Sequence, residues 1–281
     1  VVFTQPPQKS HRGQKINKSP IQGISETLNI DYRTPKTLKD NHEEYEFLKE
    51  LNADLAIVCA YGQIIPENFL NLTKKGFVNI HASILPSWRG AAPIQRSIMN
   101  LDPETGISIM KIKKELDSGP VSNIYKIKID QNQNAQEISE KLSALAAEKI
   151  LDNVDDILED KAKFIDQDHS KATYAKKIDK EESRIDWDED ASKIIGKING
   201  LFPSPGASFS FNGERYKILK AEIGNGIGQV GEIISNQLEV ACNKNQSIKI
   251  LEIQRQGKRP QKISEFMLGS QIKKGSKLSN V

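Results

Sequence analysis

Two continuous apolar runs, Leu55 to Ala60 and Phe77 to His81, constrain the fold of this chain more than any other feature. Apolar residues at helical spacing over Glu43 to Leu51 predict a helix directly before the first run. Continuous apolar strands between helices are typical of parallel sheets that are covered on both faces. We therefore predict an α/β fold with an open, mostly parallel sheet, which binds its ligands beyond the carboxyl ends of the strands.

The second half of the chain has a different pattern. Helical spacing predicts a long helix over Ala135 to Leu158, and a charged stretch without clear periodicity follows it. After another predicted helix, Ala191 to Leu201, short runs separated by Gly and Asn predict strands over Ala207–Phe211, Tyr216–Ile223, Gly228–Ser235, Gln237–Cys242 and Ser247–Arg255. Such strands are typical of a small β-barrel, either of the oligonucleotide-binding (OB) type or of another type.

These patterns predict an α/β domain over residues 1–165, a linker over 166–185 and a β-rich domain over 186–281. The charge is uneven between them. Residues 191–281 contain 14 Lys and Arg against 6 Asp and Glu, a net charge of +8, whereas the whole chain carries +3. A basic domain of this kind is suited to a polyanion. A basic surface that is only solvated explains the same count.

Three polar residues stand where apolar runs end. Asn79 and His81 lie two positions apart on a predicted strand, so their side chains point to the same side. Asp117 comes after the apolar run Ile107 to Ile112 and before a Ser-Gly turn, which can return its carboxylate toward that strand. An amide, an imidazole and a carboxylate would then meet at one edge of a sheet. Taken singly, such a His is usually structural, and such an Asp is usually a turn residue.

Residues 1–25 contain no acidic side chain but include Arg12 and Lys15 around Gly13, which predicts a mobile basic loop for a nucleic-acid backbone. A solvated loop is the alternative. No run approaches the roughly 20 apolar residues that span a bilayer, so we predict no membrane partner. Cys59 and Cys242 lie in different apolar runs without metal-type spacing, and we predict buried free thiols and no metal.

The chain resembles the folate-dependent formyltransferases over Asn79 to Gly119, a stretch that contains Ser83-Ile84-Leu85-Pro86-Ser87-Trp88-Arg89-Gly90-Ala91-Ala92-Pro93. The resemblance extends to the ends of the chain through Phe3 to Pro6, Ala60 to Pro66, Lys180 to Trp187 and Gln256 to Pro260. The run Arg89 to Gln95 resembles the branch of the family that formylates methionyl-tRNA. One departure is Leu101, at a loop position where the family usually has Gly, and we expect the loop to tolerate it.

The resemblance implies a Rossmann-like first domain that lacks the family's first βα unit in this sequence, followed by an OB-like domain that binds tRNA. It implies 10-formyltetrahydrofolate as the co-substrate, without a metal, and initiator methionyl-tRNA as the acceptor. A monomer in the cytoplasm is also expected from it.

The resemblance also assigns roles to residues. Asn79, His81 and Asp117 are expected to be catalytic. Asn79 is expected to donate to the oxyanion, His81 either to share that role or to pass the proton, and the base is either His81 or Asp117. The expected folate pocket consists of Tyr61, Gly62, Ile65, Ser83, Ile84, Leu85 and Pro86. The expected tRNA contacts are Arg12, Lys15 and Arg89.

Two other interpretations compete with this one. A related formyltransferase or formyl hydrolase that acts on a small amine would share the three catalytic residues. A catalytically idle tRNA-binding protein would keep the basic surfaces and would not bind folate. The run Arg89 to Gln95 and the basic C-terminal domain favour the tRNA-modifying enzyme over the first of these.

Overall fold

The computed structural model of the protein describes residues 1–10 and 15–278, without the side chains of residues 9, 10 and 15. Its α-helices are α1 (Pro20–Thr27), α2 (His42–Glu50), α3 (Glu67–Leu70), α4 (Pro93–Met99), α5 (Ala135–Leu158), α6 (Ala191–Leu201) and α7 (Ile263–Gly269). Within the described ranges, none of the helices combines the length and the apolar character needed to cross a bilayer.

The strands of the described residues form two larger sheets and three short pairs. They are β1 (Val2–Phe3), β2 (Gln8–Ser10), β3 (Lys15–Asn17), β4 (Tyr32–Arg33), β5 (Ala56–Val58), β6 (Phe77–His81), β7 (Arg89–Gly90), β8 (Glu104–Lys111), β9 (Val121–Lys128), β10 (Tyr174–Ala175), β11 (Ser208–Phe211), β12 (Glu214–Gly224), β13 (Glu239–Cys242), β14 (Gln246–Arg255) and β15 (Gln261–Lys262).

The chain divides into two compact units, of which the first comprises Val1–His81, Ser108–Ile124 and Glu148–His169. In this unit β5 and β6 pair in parallel, and β1 and β4 form a second parallel pair. β8 joins the other side of β6 in antiparallel orientation. The fold is therefore mixed α/β, as the sequence predicts, and the antiparallel partner of β6 is an addition that the sequence pattern did not predict.

The core of the first unit includes Leu38, Leu48, Phe69 and Phe77. Helix α2 presents Leu48 to this core, and its first turn is closed by Asn41, whose side chain accepts a hydrogen bond from the backbone N–H of Glu44. Such a cap satisfies an amide that would otherwise lack a helical partner. Helix α2 therefore packs its apolar side on the core of this unit.

The second unit comprises Ala82–Ile107, Tyr125–Ala147 and Ser170–Val281. Its main feature is an antiparallel sheet in the order β11-β12-β14-β13, with β15 paired to β14. Trp187, Ile198 and Ile250 are fully buried in its core, where the Trp187 ring lies 5.9 Å from that of Phe209. Helix α6, which carries Ile198, packs against this sheet, and the two form one hydrophobic core.

Several predicted elements are confirmed, and β6, α5 and α6 have the predicted bounds. The strand predicted over Gly228–Ser235 is wrong, because only isolated bridges form at Glu232 and Ile233. Gly231 has a φ of 79°, a turn conformation that interrupts a ladder. Cys59 is exposed, contrary to prediction, because β5 ends one residue before it.

Leu101 adopts a φ of 62°, which lies in the left-handed region that favours glycine. The Leu101 side chain contributes to packing, since a Cβ added at Gly196 would lie 2.7 Å from its Cδ2.

Candidate active site

Strand β6 carries two of the three polar residues predicted to be catalytic. Val78 and Ile80 are buried in the sheet, Asn79 is partly exposed and His81 is 6 % exposed. Alternation along the strand puts Asn79 and His81 on the same face. Among the described residues, no hydrogen bond to the Asn79 carboxamide is found. Its N–H groups are therefore free to donate to a ligand.

The loop between β8 and β9 brings Asp117 to this edge. The N–H of Ile112 donates to the carbonyl of Phe77, so the chain leaves β8 beside the start of β6. It then runs back along β6 until Asp117 Oδ2 lies 3.7 Å from His81 Nδ1. The structure thus joins two groups that are 36 positions apart in the sequence, as the predicted turn requires.

The His81–Asp117 contact is electrostatic. A separation of 3.7 Å is longer than a hydrogen bond, and attraction arises when the imidazole is protonated. The two side chains are only 7 % and 15 % exposed, so water screens the interaction less than it does at the surface. The Asp117 carboxylate therefore lies where it can act directly on the His81 ring.

The turn that carries Asp117 has a backbone conformation that few residue types can adopt. Asp117 has a φ of 46°, and a Cβ added to Gly119 would lie 1.9 Å from the carbonyl oxygen of Lys111. Only glycine can occupy that position without moving β8. Sequence reasoning missed Gln167, whose side chain donates to the carbonyls of Asp117 and Gly119. No local pattern marks it, because its partners lie about 50 residues away along the chain.

The loop Tyr61 to Pro66, predicted to bind folate, also belongs to the first unit. The carbonyl of Tyr61 accepts a hydrogen bond from Gln5 Nε2 at 2.6 Å, and Gly62 makes a turn with a φ of 76°. Tyr61 and Ile65 pack on the core. Burial and the nearby Glu44 carboxylate raise the pKa of Tyr61 to about 12, so its hydroxyl remains a neutral donor at physiological pH.

Two buried polar atoms of this loop bear on whether a folate fits there. Within the described ranges, the Tyr61 hydroxyl and the Gln63 Oε1 have no hydrogen-bond partner. Buried polar atoms are nearly always paired, and each unpaired one calls for a partner. A heterocycle with donors and acceptors along its edge would supply such partners. Both atoms are closed off from solvent in this structure, so the assignment of this loop to folate binding remains a prediction.

The second unit holds the other predicted folate residues. Ser83 is fully buried and donates from Oγ to the carbonyl of Ser87 at 2.6 Å, which closes a tight turn over Ile84 and Leu85. The Leu85–Pro86 peptide bond within this turn is cis. Their role in folate binding remains a prediction.

The predicted tRNA contacts have different placements. Arg12 lies outside the described residues, and Lys15 begins β3, although its side chain is not described. Arg89 is only 3 % exposed, and its backbone lies in β7, paired to β10. A side chain so buried is better suited to holding its loop than to contacting RNA. Its contact with tRNA therefore remains a prediction that would require the loop to move.

Comparison with protein families decides the relationship. A model described as "Formyl transferase" matches residues 1–154, and one described as "Formyl transferase, C-terminal domain" matches residues 177–271. The chain belongs to the formyl transferase family. Its relatives include the methionyl-tRNA formyltransferases of two bacteria. That of Pelagibacter ubique is 67 % identical over 280 residues, which cover 100 % of this chain and 90 % of the relative. That of Dictyoglomus turgidum is 40 % identical over 288 residues, covering 99 % and 91 %.

Two solved structures have a similar fold. The sugar 3N-formyl transferase WlaRD, crystallised in the presence of dTDP and 5-N-formyl-THF, superposes with a TM-score of 0.68 at 20 % identity, covering 92 % of this chain and 88 % of that one. HypX from Aquifex aeolicus, in complex with tetrahydrofolic acid, gives 0.66 at 16 % identity, covering 95 % of this chain and 46 % of the other. At these identities the likeness concerns the fold.

Proposed function

We propose that this chain transfers the formyl group of 10-formyltetrahydrofolate to the amino group of methionyl-tRNA, in its initiator form, for the start of translation. The observation that carries the proposal is the 67 % identity, over the whole chain, to the methionyl-tRNA formyltransferase of Pelagibacter ubique. The pairing of His81 with Asp117 supports it, because acyl transfer to an amine needs a group that accepts a proton.

The reaction makes one C–N bond and breaks another. The neutral methionyl amine attacks the formyl carbon, and the bond from that carbon to the folate nitrogen breaks. The amine loses a proton, and the departing folate nitrogen gains one. Negative charge develops on the formyl oxygen between these events. The protein must therefore offer a hydrogen-bond donor to that oxygen and a route for the proton.

Asn79 is the donor that we assign to the oxygen. Asn79 is partly exposed in the middle of β6 and its carboxamide does not titrate, so it can donate at any physiological pH. His81 and Asp117 act as a pair that takes the proton from the attacking amine. The Asp117 carboxylate, 3.7 Å from His81 Nδ1, orients the imidazole ring.

The folate would be held by Tyr61, Gly62 and Ile65 of the first unit, where buried polar atoms lack partners. The assignment of Ser83, Ile84, Leu85 and Pro86 to folate binding rests on the family resemblance. No metal takes part in the proposed chemistry. Among the described residues, no cluster of three His, Cys, Asp or Glu side chains could hold an ion.

We place a catalytic domain at residues 1–165, a linker at 166–185 and a basic C-terminal domain at 186–281. The C-terminal domain would bind the tRNA. The net charge of +8 over residues 191–281 supports contact with a phosphate backbone. The antiparallel sheet of β11 to β15 supports an OB-like barrel there. We expect a monomer that works in the cytoplasm.

The proposal is tested by offering one folate donor and several acceptors. The purified chain is given 10-formyltetrahydrofolate with methionyl-tRNA, with an amino-sugar nucleotide, or with water alone. We expect formyl transfer to the charged tRNA and a much slower reaction in the other two. Faster transfer to the amino sugar, or hydrolysis that tRNA does not affect, would contradict the proposal.

Arg12→Ala is expected to reduce discrimination between initiator and elongator tRNA while leaving the KM for folate nearly unchanged. The reason is that a cation in a basic loop contacts the RNA backbone rather than the pterin. Formylation of the two tRNAs is compared at two salt concentrations. Lys39→Ala, which removes an exposed cation elsewhere in the same predicted domain, is the matched control. An equal effect of the two substitutions would argue against a specific role for Arg12.

A further inference from the structure

The turn that carries Asp117 is held by a side chain from a distant part of the chain. Gln167 is 8 % exposed, and its Nε2 lies 2.9 Å from the carbonyl oxygen of Asp117 and 2.7 Å from that of Gly119. The carboxamide thus uses its two N–H groups on two acceptors that flank Ser118. Both acceptors belong to the segment whose conformation sets the position of the Asp117 carboxylate.

The backbone brings Gln167 to this place. Ile165 and Val121 exchange two hydrogen bonds of 2.9 Å in an antiparallel bridge. In an antiparallel register, Gln167, two positions after Ile165, lies opposite Gly119, two positions before Val121. The turn has left the extended conformation there, so its carbonyls cannot be satisfied by regular strand pairing. The side chain of Gln167 supplies the donors that the backbone ladder cannot.

The turn needs such support. Asp117 is a non-glycine residue with a φ of 46°, and Gly119 lies against the Lys111 carbonyl. A backbone in a sparsely populated conformation persists only when its surroundings determine it. Within the turn itself, the Oγ of Ser118 donates to the carbonyl of Glu115 at 3.0 Å. Gln167 adds two restraints from outside the turn, directly at the residue whose carboxylate faces His81.

We propose that Gln167 is a positioning residue for formyl transfer. Its carboxamide fixes the carbonyls of Asp117 and Gly119, and so holds the Asp117 carboxylate at its 3.7 Å separation from His81. This inference rests on the proposed function, because it takes Asp117 to be catalytic. It extends the site to a segment that no motif of the sequence marks.

The chemistry of the contact predicts which substitutions matter. Two carbonyl acceptors require two N–H donors, and a carboxamide is the side chain of this length that provides them. Gln167→Leu fills the space and provides no donor. Gln167→Glu places a carboxylate against two carbonyl oxygens, which repels them while it is ionised. Once protonated, the carboxyl group can donate one hydrogen bond, and burial favours that neutral form.

The experiment compares Gln167→Leu and Gln167→Glu with the unaltered chain in steady-state formylation of methionyl-tRNA, from pH 5.5 to pH 8.5. We expect kcat to fall about 10- to 100-fold in both variants, since a shift of about 1 Å in a catalytic group can cost 100-fold. The KM values for folate and tRNA should stay within about twofold. The deficit of Gln167→Glu should shrink as the pH falls, whereas that of Gln167→Leu should not.

A matched control separates positioning from stability. Gln22 is also buried in the first unit, and its side chain donates to Glu26 and Tyr32, away from the Asp117 turn. Gln22→Leu should lower the midpoint of thermal unfolding without lowering kcat. Equal losses of kcat in Gln22→Leu and Gln167→Leu, or a Gln167→Glu deficit that does not change with pH, would overturn the inference.

A crystal structure of Gln167→Leu decides the positioning claim independently of activity. We expect the Asp117 carboxylate to move away from His81, or the turn to lose its order. An unchanged turn with the same His81–Asp117 separation would overturn the inference. If the unaltered chain formylates no methionyl-tRNA while Gln167→Leu still displaces Asp117, the proposed function fails and the positioning claim stands.

Discussion

Asn79→Ala is expected to slow formylation of methionyl-tRNA about 100- to 1000-fold, the usual loss when one donor to an oxyanion is removed. Asn79 is partly exposed in the middle of β6, and its carboxamide has no hydrogen-bond partner among the described residues, so its removal should cost little stability. The loss should appear in kcat, because the charge on the formyl oxygen develops only in the transition state. The measurement is single-turnover formylation at saturating folate.

Asn79→Asp provides the control for size at this position. It has nearly the same shape but cannot donate when ionised, and its charge repels an oxyanion, so it should be at least as slow as Asn79→Ala. Affinity for tRNA, measured by filter binding, should be nearly unchanged in both. Rates equal to that of the unaltered chain would remove Asn79 from the oxyanion role.

Asp117→Asn is expected to lower kcat by about 100- to 10,000-fold, the range that general acid–base groups contribute. The substitution keeps the size of the side chain, and Asn tolerates the left-handed φ of 46° that Asp117 adopts. The turn should therefore remain folded, while the carboxylate that faces the His81 ring is lost. The measurement is kcat across the pH range, together with a thermal unfolding curve.

Asp166→Asn is the matched control for Asp117→Asn. Asp166 is an exposed carboxylate of the same unit, and its partner, Lys113, lies 3.6 Å away. Exposed pairs of this kind contribute little to stability, so neither kcat nor unfolding should change measurably. Comparable losses of kcat in the two variants would mean that general surface charge, and not a proton-transfer role of Asp117, governs the rate.

Local periodicity was enough to predict the strand that carries Asn79 and His81 of the candidate site. The apolar run Phe77 to His81 gave the bounds of β6, and its alternation put Asn79 and His81 on one face. The return of Asp117 toward His81 was predicted from the Ser-Gly turn that follows it. These features are local, and the hydrophobic pattern and turn chemistry that encode them lie within a few residues.

The features that the sequence did not reveal depend on contacts between distant segments. Arg89 is buried where β7 pairs with β10, 85 residues later in the chain. No pattern in either segment predicts that pairing. The role of Gln167 depends on the bridge between Ile165 and Val121. Exposure of Cys59 depends on where β5 ends within an apolar run. In each case tertiary packing overrides or completes the local signal.

The central claim is that His81 and Asp117 act as one proton-transferring unit beside Asn79. A double-variant cycle in kcat for formylation, with His81→Gln, Asp117→Asn and the combination, tests it most directly. The account predicts that the double variant is about as slow as the slower single variant, because groups that act as a unit are strongly non-additive. Losses that multiply would contradict it, since they would mean that the two side chains, 3.7 Å apart, contribute independently.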